Sequence, residues 1–354
     1  MFWIRADGNE KIGAGHMMRC LTIAEELADI RGREEICFVC ADETSANMAA
    51  DCGFEVCVLQ TDYREMESEL SAWDKLFTES TSKDSWVKPV VLVDSYYVTD
   101  SYLEKLRRKA YVILMDDLGE HSYPVDCIIN YNASADIQKY HRLYREQNTR
   151  LLIGSDYVPI RRQFYNTDYQ VEDHVRAVMI TAGGGDQDNI AGRILERLYD
   201  EELTFYLVTG RFNPNMDKLH GLEKECRNVH ICHDVKDMAG LMRKCDVAVT
   251  AGGSTIYELC SLGIPFICFS CADNQMPLTR YIRESGIAGE AGAWHKDPEG
   301  TLKELTEQFG KLVWDRELRI RYSRRERVLI DCRGAVRLAE ELDRCLNLSC
   351  EEMF

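Results

Sequence analysis

Short apolar runs of strand length alternate with helical patterns along most of this chain, and the alternation lapses once near the middle. That order restricts the fold to parallel sheets covered by helices, because parallel neighbours need a crossover and the crossover is usually a helix. In the first series the predicted strands are 2–6, 36–41, 55–59, 90–93, 111–115 and 127–130, with helices such as 16–30, 64–78 and 101–108 between them. The stretch 155–173 is polar and irregular and reads as a connection between domains. A second series follows, with strands at 177–181, 205–208, 229–232, 247–250 and 265–269. Its helices are expected at 190–199, 235–243, 255–262 and 277–284. Beyond Asp297-Pro298 the pattern is helical, with candidates at 316–329 and 335–346. The 354 residues suffice for two domains of ordinary size. We expect one over 1–160, a second over 170–315, and C-terminal helices over 316–354.

Composition narrows the function classes. The formal net charge of −17 works against nucleic acid or an anionic membrane as the main partner. No apolar run approaches a membrane span, so no membrane insertion is expected. The N-terminus enters a strand directly, without a basic segment and long apolar core, and the expected location is cytoplasmic. Fifteen cysteines is a high count, yet several fall inside apolar strands, as in Ile36-Cys37-Phe38-Val39-Cys40, where they act as small hydrophobes. Cys37/Cys40 and Cys268/Cys271 are spaced C-x-x-C. Cys37 and Cys40 lie within one strand and point to opposite faces, so no metal site is expected from them.

The first strand leads into Gly13-Ala14-Gly15-His16, which opens the first helix. Backbone N–H groups are free at such a helix start and attract anions. The positive helix end disfavours an imidazolium, so a neutral, proton-accepting His16 is expected there. The turn is no dinucleotide fingerprint, since Met18 stands where a third glycine belongs, and no Gly-Lys-Ser/Thr follows to make a Walker loop. Glycines here are also compatible with simple close packing, and His16 with a plain surface residue.

Two glycine clusters follow strands of the second series. Gly183-Gly184-Gly185-Asp186 follows one, and Gly252-Gly253-Ser254-Thr255 follows another and opens a helix carrying Glu258. Glycine admits a ligand close to the backbone, and Ser254 and Thr255 suit both helix capping and phosphate contact. This reads as a diphosphate cradle without lysine or metal, with Glu258 one turn on, in reach of ribose hydroxyls. A capped helix after a tight turn is the plainer alternative. His233-Asp234-Val235 sits between a strand and a helix, where a turn can offer backbone groups to a planar base; an ordinary cap by Asp234 is the alternative. Asn274-Gln275 follows the last apolar strand and suits hydroxyl or amide recognition. In open parallel sheets ligands bind outside the carboxyl ends of the strands, and two such sheets facing a cleft suit a ligand with two distinct ends.

Taken in order, these residues resemble a known family. Arg5-Ala6-Asp7, Ile12-Gly13-Ala14-Gly15-His16 and Arg19 are similar to the N-terminal motif of the UDP-2,4-diacetamido-2,4,6-trideoxy-β-L-altropyranose hydrolases of pseudaminic acid biosynthesis and their spore-coat polysaccharide relatives. The likeness continues through Val93-Asp94-Ser95-Tyr96, Asp116-Asp117, Asn130 to Ala133, Ile160 to Tyr165, the two glycine clusters and Asn274-Gln275. One departure is Ala182-Gly183-Gly184-Gly185-Asp186, where the family often has Met-Gly-Gly-Thr-Asp.

The resemblance implies an α/β fold of GT-B architecture, two Rossmann-like domains facing a cleft. It implies UDP on the C-terminal half, at Gly184, Gly185, His233, Asp234, Val235, Gly252, Gly253, Ser254, Thr255 and Glu258. It makes His16 the general base. Gly13, Gly15, Arg19, Asp94, Tyr96, Asp117, Asn132, Asn274 and Gln275 become candidates for holding the sugar. The expected activity is metal-independent hydrolysis of a UDP-linked diacetamido-trideoxy sugar to UDP and free sugar, by C–O cleavage with inversion. The expected ligand is a small-molecule UDP-sugar, with no cofactor; no oligomeric state is implied. A GT-B glycosyltransferase passing the sugar to an acceptor and a non-catalytic nucleotide-sugar-binding protein are the alternatives.

Overall fold

The strand-length runs fold as parallel strands with both faces covered, which is why they read as unbroken apolar stretches and not as alternations. The computed structural model describes residues 1–80, 88–165, 168–210 and 213–351. It divides into two units, Met1–Pro159 together with the chain from Arg333 onward, and Ile160–Cys332.

The first unit runs β1 (Phe2–Ala6), α1 (Gly15–Arg31), β2 (Ile36–Cys40), α2 (Glu43–Ala50), β3 (Glu55–Val58), α3 (Leu70–Ser80), β4 (Val90–Asp94), α4 (Asp100–Arg107), β5 (Tyr111–Met115), β6 (Cys127–Asn130), α5 (Ile137–Leu143) and β7 (Arg150–Ile153). Its sheet is ordered β3-β2-β1-β4-β5-β6-β7, with every pair parallel. The chain lays down β1, β2 and β3 in one direction, then returns to place β4 on the other side of β1. A crevice opens at the carboxyl ends of strands where the order reverses in this way.

The second unit repeats the plan with β8 (Ala177–Thr181), α6 (Ile190–Leu198), β9 (Thr204–Thr209), α7 (Met216–Glu225), β10 (Val229–His233), α8 (Met238–Met242), β11 (Val247–Ala251), α9 (Thr255–Leu262), β12 (Phe266–Ser270), α10 (Met276–Glu284), β13 (Gly289–Ala293), α11 (Pro298–Trp314) and α12 (Arg316–Leu329). Its sheet is ordered β10-β9-β8-β11-β12-β13, all parallel, and the reversal falls between β8 and β11.

The helical segment expected over 316–354 is divided between the units. α12 stays with the second, whereas α13 (Gly334–Glu351) returns to the first. Ala335, Leu338, Ala339, Leu342 and Cys345 of α13 are wholly buried, and the helix packs along α1. Arg150 pairs with Glu341, and Arg31 with Asp343, at its edges. Where the chain returns, a Cβ on Gly334 would come within 2.1 Å of the Val158 carbonyl oxygen, so the approach needs glycine. The boundaries also differ from the expected ones. The first crossing falls at Pro159/Ile160, inside the irregular stretch, of which residues 166 and 167 lie outside the described residues. β7 and β13 were not singled out from sequence. β7 is half-buried, and β13 reads Gly-Glu-Ala-Gly-Ala, without a branched or aromatic residue.

Polar side chains fix the units internally. Arg5, in the buried centre of β1, bonds Glu69 through Nε (2.8 Å) and Nη2 (2.5 Å), and Asp7 through Nη1 (2.5 Å). Glu326 is the opposite case. It is 0 % exposed on α12, and neither carboxylate oxygen has a hydrogen-bond partner. Burial pushes its carboxyl well above the usual carboxylate range, with Arg327 opposing weakly. A carboxyl whose folded pKa is raised binds a proton the unfolded chain has released, so it costs stability as pH rises above the unfolded value of about 4.3. Glu326→Gln is therefore expected to melt higher than wild type by a margin that grows from pH 5 to pH 8 in thermal denaturation. A margin independent of pH would contradict this.

Candidate active site

Six helices begin on a side-chain cap: Asp42 for α2, Thr99 for α4, Asp136 for α5, Asp237 for α8, Asp297 for α11 and Asp315 for α12. α1 and α9 are among those that do not, with α6, α7 and α10. α1 starts after Ala14 with no side-chain cap and no acidic residue in its first turn, and Ser254 occupies the cap position of α9 without making the bond. These two helices follow β1 and β11, the strands beside each reversal.

In the first unit, four consecutive strand ends deliver side chains to one cluster. His16 lies on the first turn of α1 and Arg19 one turn on. Asp94 ends β4, and Tyr96 follows it. Asp117 follows β5, and Tyr131 and Asn132 follow β6. His16 Nδ1 is 2.6 Å from Asp94 Oδ1. Arg19 donates to Asp94 through Nε (2.6 Å) and Nη2 (2.5 Å), and to Asp117 and the Tyr131 hydroxyl through Nη1 (2.9 Å each). Cys20 Sγ approaches Asp94 Oδ2 at 3.4 Å. The Tyr96 hydroxyl donates to Asp117 (2.8 Å), and its ring meets the His16 ring edge to face at 4.7 Å.

Asp94 is 1 % exposed. Burial disfavours its charge, but Arg19 and His16 outweigh burial and hold the carboxyl well below the usual range. Arg19 likewise stays charged: desolvation opposes this, and Asp117 and Asp94 overcome it. An ionised carboxylate only accepts hydrogen bonds, and a guanidinium only donates. The contact between His16 and Asp94 therefore requires the proton on Nδ1, and the 3.1 Å approach of Arg19 Nη2 to Nδ1 is not a hydrogen bond to that nitrogen. In a neutral ring the lone pair is then on Nε2, which bonds no described residue. His16 is 8 % exposed.

This arrangement changes three expectations. Asp94, read from sequence as a sugar contact, has both oxygens occupied inside the protein. Arg19, read the same way, spends its guanidinium on Asp94, Asp117 and Tyr131. His16, expected to feel chiefly the helix end, has Asp94 and Arg19 as the charges nearest its ring. Tyr96 is half exposed, and Asn132 reaches Asp117 only at 3.4 Å while bonding Asn130 Oδ1 at 3.0 Å. Gly13 has φ of +75°, a left-handed position that favours glycine, and Gly15 borders open space.

The second unit offers backbone and hydroxyl groups in place of charged side chains. A Cβ on Gly252 would lie 2.6 Å from Thr279 Cγ2 and 3.0 Å from Gln275 Cβ, so the start of α10 presses directly against this turn. Gly253 borders open space. The backbone N–H groups of Ser254 and Thr255, and both hydroxyls, bond no described residue. Gln275 accepts from the Cys271 N–H at Oε1 (2.8 Å), which leaves its NH2 group as the free end. Asn274 is exposed. Gly184 lies close to Gly210, and Gly185 borders open space. Asp186 accepts from the N–H groups of Ile190 (2.7 Å) and Ala191 (3.0 Å), so its carboxylate fills the start of α6. Glu258 accepts at Oε1 from Arg161 Nε (3.0 Å) and Nη2 (2.6 Å), and burial raises its pKa while Arg161 opposes. His233 ends β10 and is exposed. The alternative of Asp234 as a helix cap does not hold. Asp234 lies at φ of +47°, α8 starts later than expected, and Asp237 caps it. Val235 is half-buried in the same turn, which Gln163 braces by donating to the Lys236 carbonyl and accepting from the Ala239 N–H.

Sequence reasoning missed Tyr131 and Arg161 as partners of site residues. Both lay in motifs already noted, but the partners are 112 and 97 positions away, and no spacing signals such pairs. Concavity is no guide either. A recess of about 770 Å³ in the second unit is lined by Trp314, Arg321, Tyr322 and neighbours, and includes none of these residues.

The fold is GT-B. MurG from Acinetobacter baumannii superposes with a TM-score of 0.65 over 97% of this chain and 99% of that one, at 12% identity. The spinosyn rhamnosyltransferase SpnG, complexed with spinosyn aglycone, gives 0.60 over 97% and 100%, at 14% identity. No protein-family model matches the chain. Among curated proteins it is similar to the spore coat polysaccharide biosynthesis protein SpsG of Bacillus subtilis, 25% identical over 95% of both chains. It is also similar to the UDP-2,4-diacetamido-2,4,6-trideoxy-β-L-altropyranose hydrolase of Campylobacter jejuni, 23% identical over 81% of this chain and 97% of that protein. The resemblance drawn from the motifs thus extends along most of the sequence.

Arg19 is the only cation bonded to both Asp94 and Asp117 among the described residues. Removing one member of a buried ion network leaves uncompensated charge, at a cost of about 3–5 kcal/mol. Arg19→Met should lower unfolding stability by that amount in urea denaturation; a loss below about 1 kcal/mol would mean the network is not stabilising.

Proposed function

We propose that the protein hydrolyses a UDP-linked diacetamido-trideoxy sugar to UDP and the free sugar. The observation that carries the reading is His16: a histidine at a strand reversal, with one nitrogen occupied by a carboxylate and the other unbonded. The similarity to the Campylobacter hydrolase supports the substrate class. In this reading water attacks the anomeric carbon from the face opposite UDP, and His16 Nε2 takes its proton. The C–O bond to the diphosphate breaks, UDP leaves with the electron pair, and the configuration inverts.

The diphosphate is assigned to the turns at Gly184-Gly185 and Gly252 to Thr255, whose N–H groups and hydroxyls stabilise the departing charge. Glu258 holds ribose through the oxygen that Arg161 leaves free, and the turn His233-Asp234-Val235 holds the base. Tyr96, Asn132, Asn274 and the Gln275 amide contact the sugar. Gly13 and Gly15 let it approach the start of α1. The reacting base thus comes from the first unit and the nucleotide contacts from the second, in the cytoplasm. No helix among the described residues is long and apolar enough to cross a membrane.

The glycosyltransferase neighbours favour a second reading, in which an acceptor hydroxyl replaces water. Product analysis in heavy-oxygen water separates the two: free sugar carrying the label supports hydrolysis, a sugar–acceptor conjugate supports transfer, and label in UDP overturns C–O cleavage. His16→Asn should leave UDP affinity near wild type and lower turnover by about 10²–10⁴-fold. Full activity in that variant would remove His16 from the mechanism. Glu258→Ala should weaken UDP binding, measured by calorimetry, more than it lowers turnover at saturation; unchanged affinity would refute the ribose assignment.

A further inference from the structure

We propose that Asp94 is the positioning residue for His16, accepting its Nδ1–H so that Nε2 is the nitrogen presented to the attacking water. The proposal rests on the reading of His16 as general base and reverses the expectation that Asp94 touches the sugar. Its geometric basis is complete on the first unit alone. Asp94 closes β4, which pairs with β1 in register, Ala6 opposite Asp94, so the carboxylate and the turn that bears His16 leave neighbouring strand ends. One carboxylate oxygen faces His16 Nδ1 at 2.6 Å, and both are held by Arg19.

The groups facing the ring are Asp94 from β4, Arg19 from its own helix and Tyr96 from the loop after β4. Only Asp94 among them is an acceptor for Nδ1–H. When water gives its proton to Nε2 the ring becomes an imidazolium, and the carboxylate stabilises that charge without taking the proton. Arg19 keeps Asp94 ionised throughout. It also places a positive charge near the imidazolium, which favours release of the proton once the sugar has left. Asp117 acts at one remove, by fixing Arg19.

The test begins with the wild-type protein. Nitrogen-15 NMR of histidine-labelled protein, with the His16 signals assigned by their loss in His16→Asn, reads the tautomer of the neutral ring directly. The proton is expected on Nδ1. Asp94→Asn keeps the shape but presents an amide, which can donate to Nδ1 and select the opposite tautomer. In that variant the Nδ1–H signal should disappear and kcat should fall about 10²–10⁴-fold. KM should stay within about threefold, and the acidic limb of the pH–rate profile, where the base is lost to protonation, should move. A neutral wild-type ring protonated on Nε2 would overturn the proposal, and so would a folded Asp94→Asn protein with kcat within threefold of wild type. If Asp94→Asn does not fold, the wild-type tautomer alone decides. If the wild-type protein hydrolyses no UDP-sugar, the functional reading fails, while the tautomer measurement still settles the role of Asp94.

Discussion

The arrangement depends on one buried ion pair, Arg19 with Asp94. A carboxyl as deeply buried as Asp94 would ordinarily take up a proton and become a donor. Arg19 prevents this by placing its charge against both oxygens. Asp94 therefore remains an acceptor, and an acceptor beside Nδ1 dictates where the proton of His16 resides. Arg19 stands three residues from His16 on α1, one turn along the same face, so a single helix start supplies both the imidazole and the cation that governs its partner. α1 is in turn packed by α13, which returns from the far end of the sequence. The helix that carries His16 and Arg19 thus rests on α13.

The two units share a topology and use it differently. Each reverses strand order beside its first strand, and each leaves the helix after a reversal strand uncapped. The first fills the resulting position with charged and aromatic side chains from α1 and from the ends of β4, β5 and β6. The second keeps it clear with glycine, and leaves N–H groups and hydroxyls unspent at Ser254 and Thr255. A histidine whose Nδ1 faces a carboxylate suits proton transfer at Nε2; unspent backbone donors suit an anion.

Much of this was legible in the sequence. Apolar runs such as Phe2 to Ala6 and Val247 to Thr250 read as buried strands because nothing in a parallel sheet interrupts them. The glycine turns were visible because they sit at strand-to-helix junctions. The strand Gly289 to Ala293 was not, since small residues carry no strand signal and only pairing with β12 defines it. The split of the tail was equally hidden: α12 and α13 are both amphipathic, and nothing local says which core each covers. The partner of His16 was hidden, because the 78 positions between them are closed by sheet register and not by spacing. The same holds for Arg161 and Glu258.

We propose a single displacement by water at the anomeric carbon, with His16 as base. It is tested most directly by following the anomeric proton of the sugar by NMR from the first seconds of turnover of a UDP-diacetamido-trideoxy sugar. The account predicts that the first free sugar to appear has the configuration opposite to that of the substrate, before mutarotation mixes the anomers. First-formed sugar of unchanged configuration would contradict it.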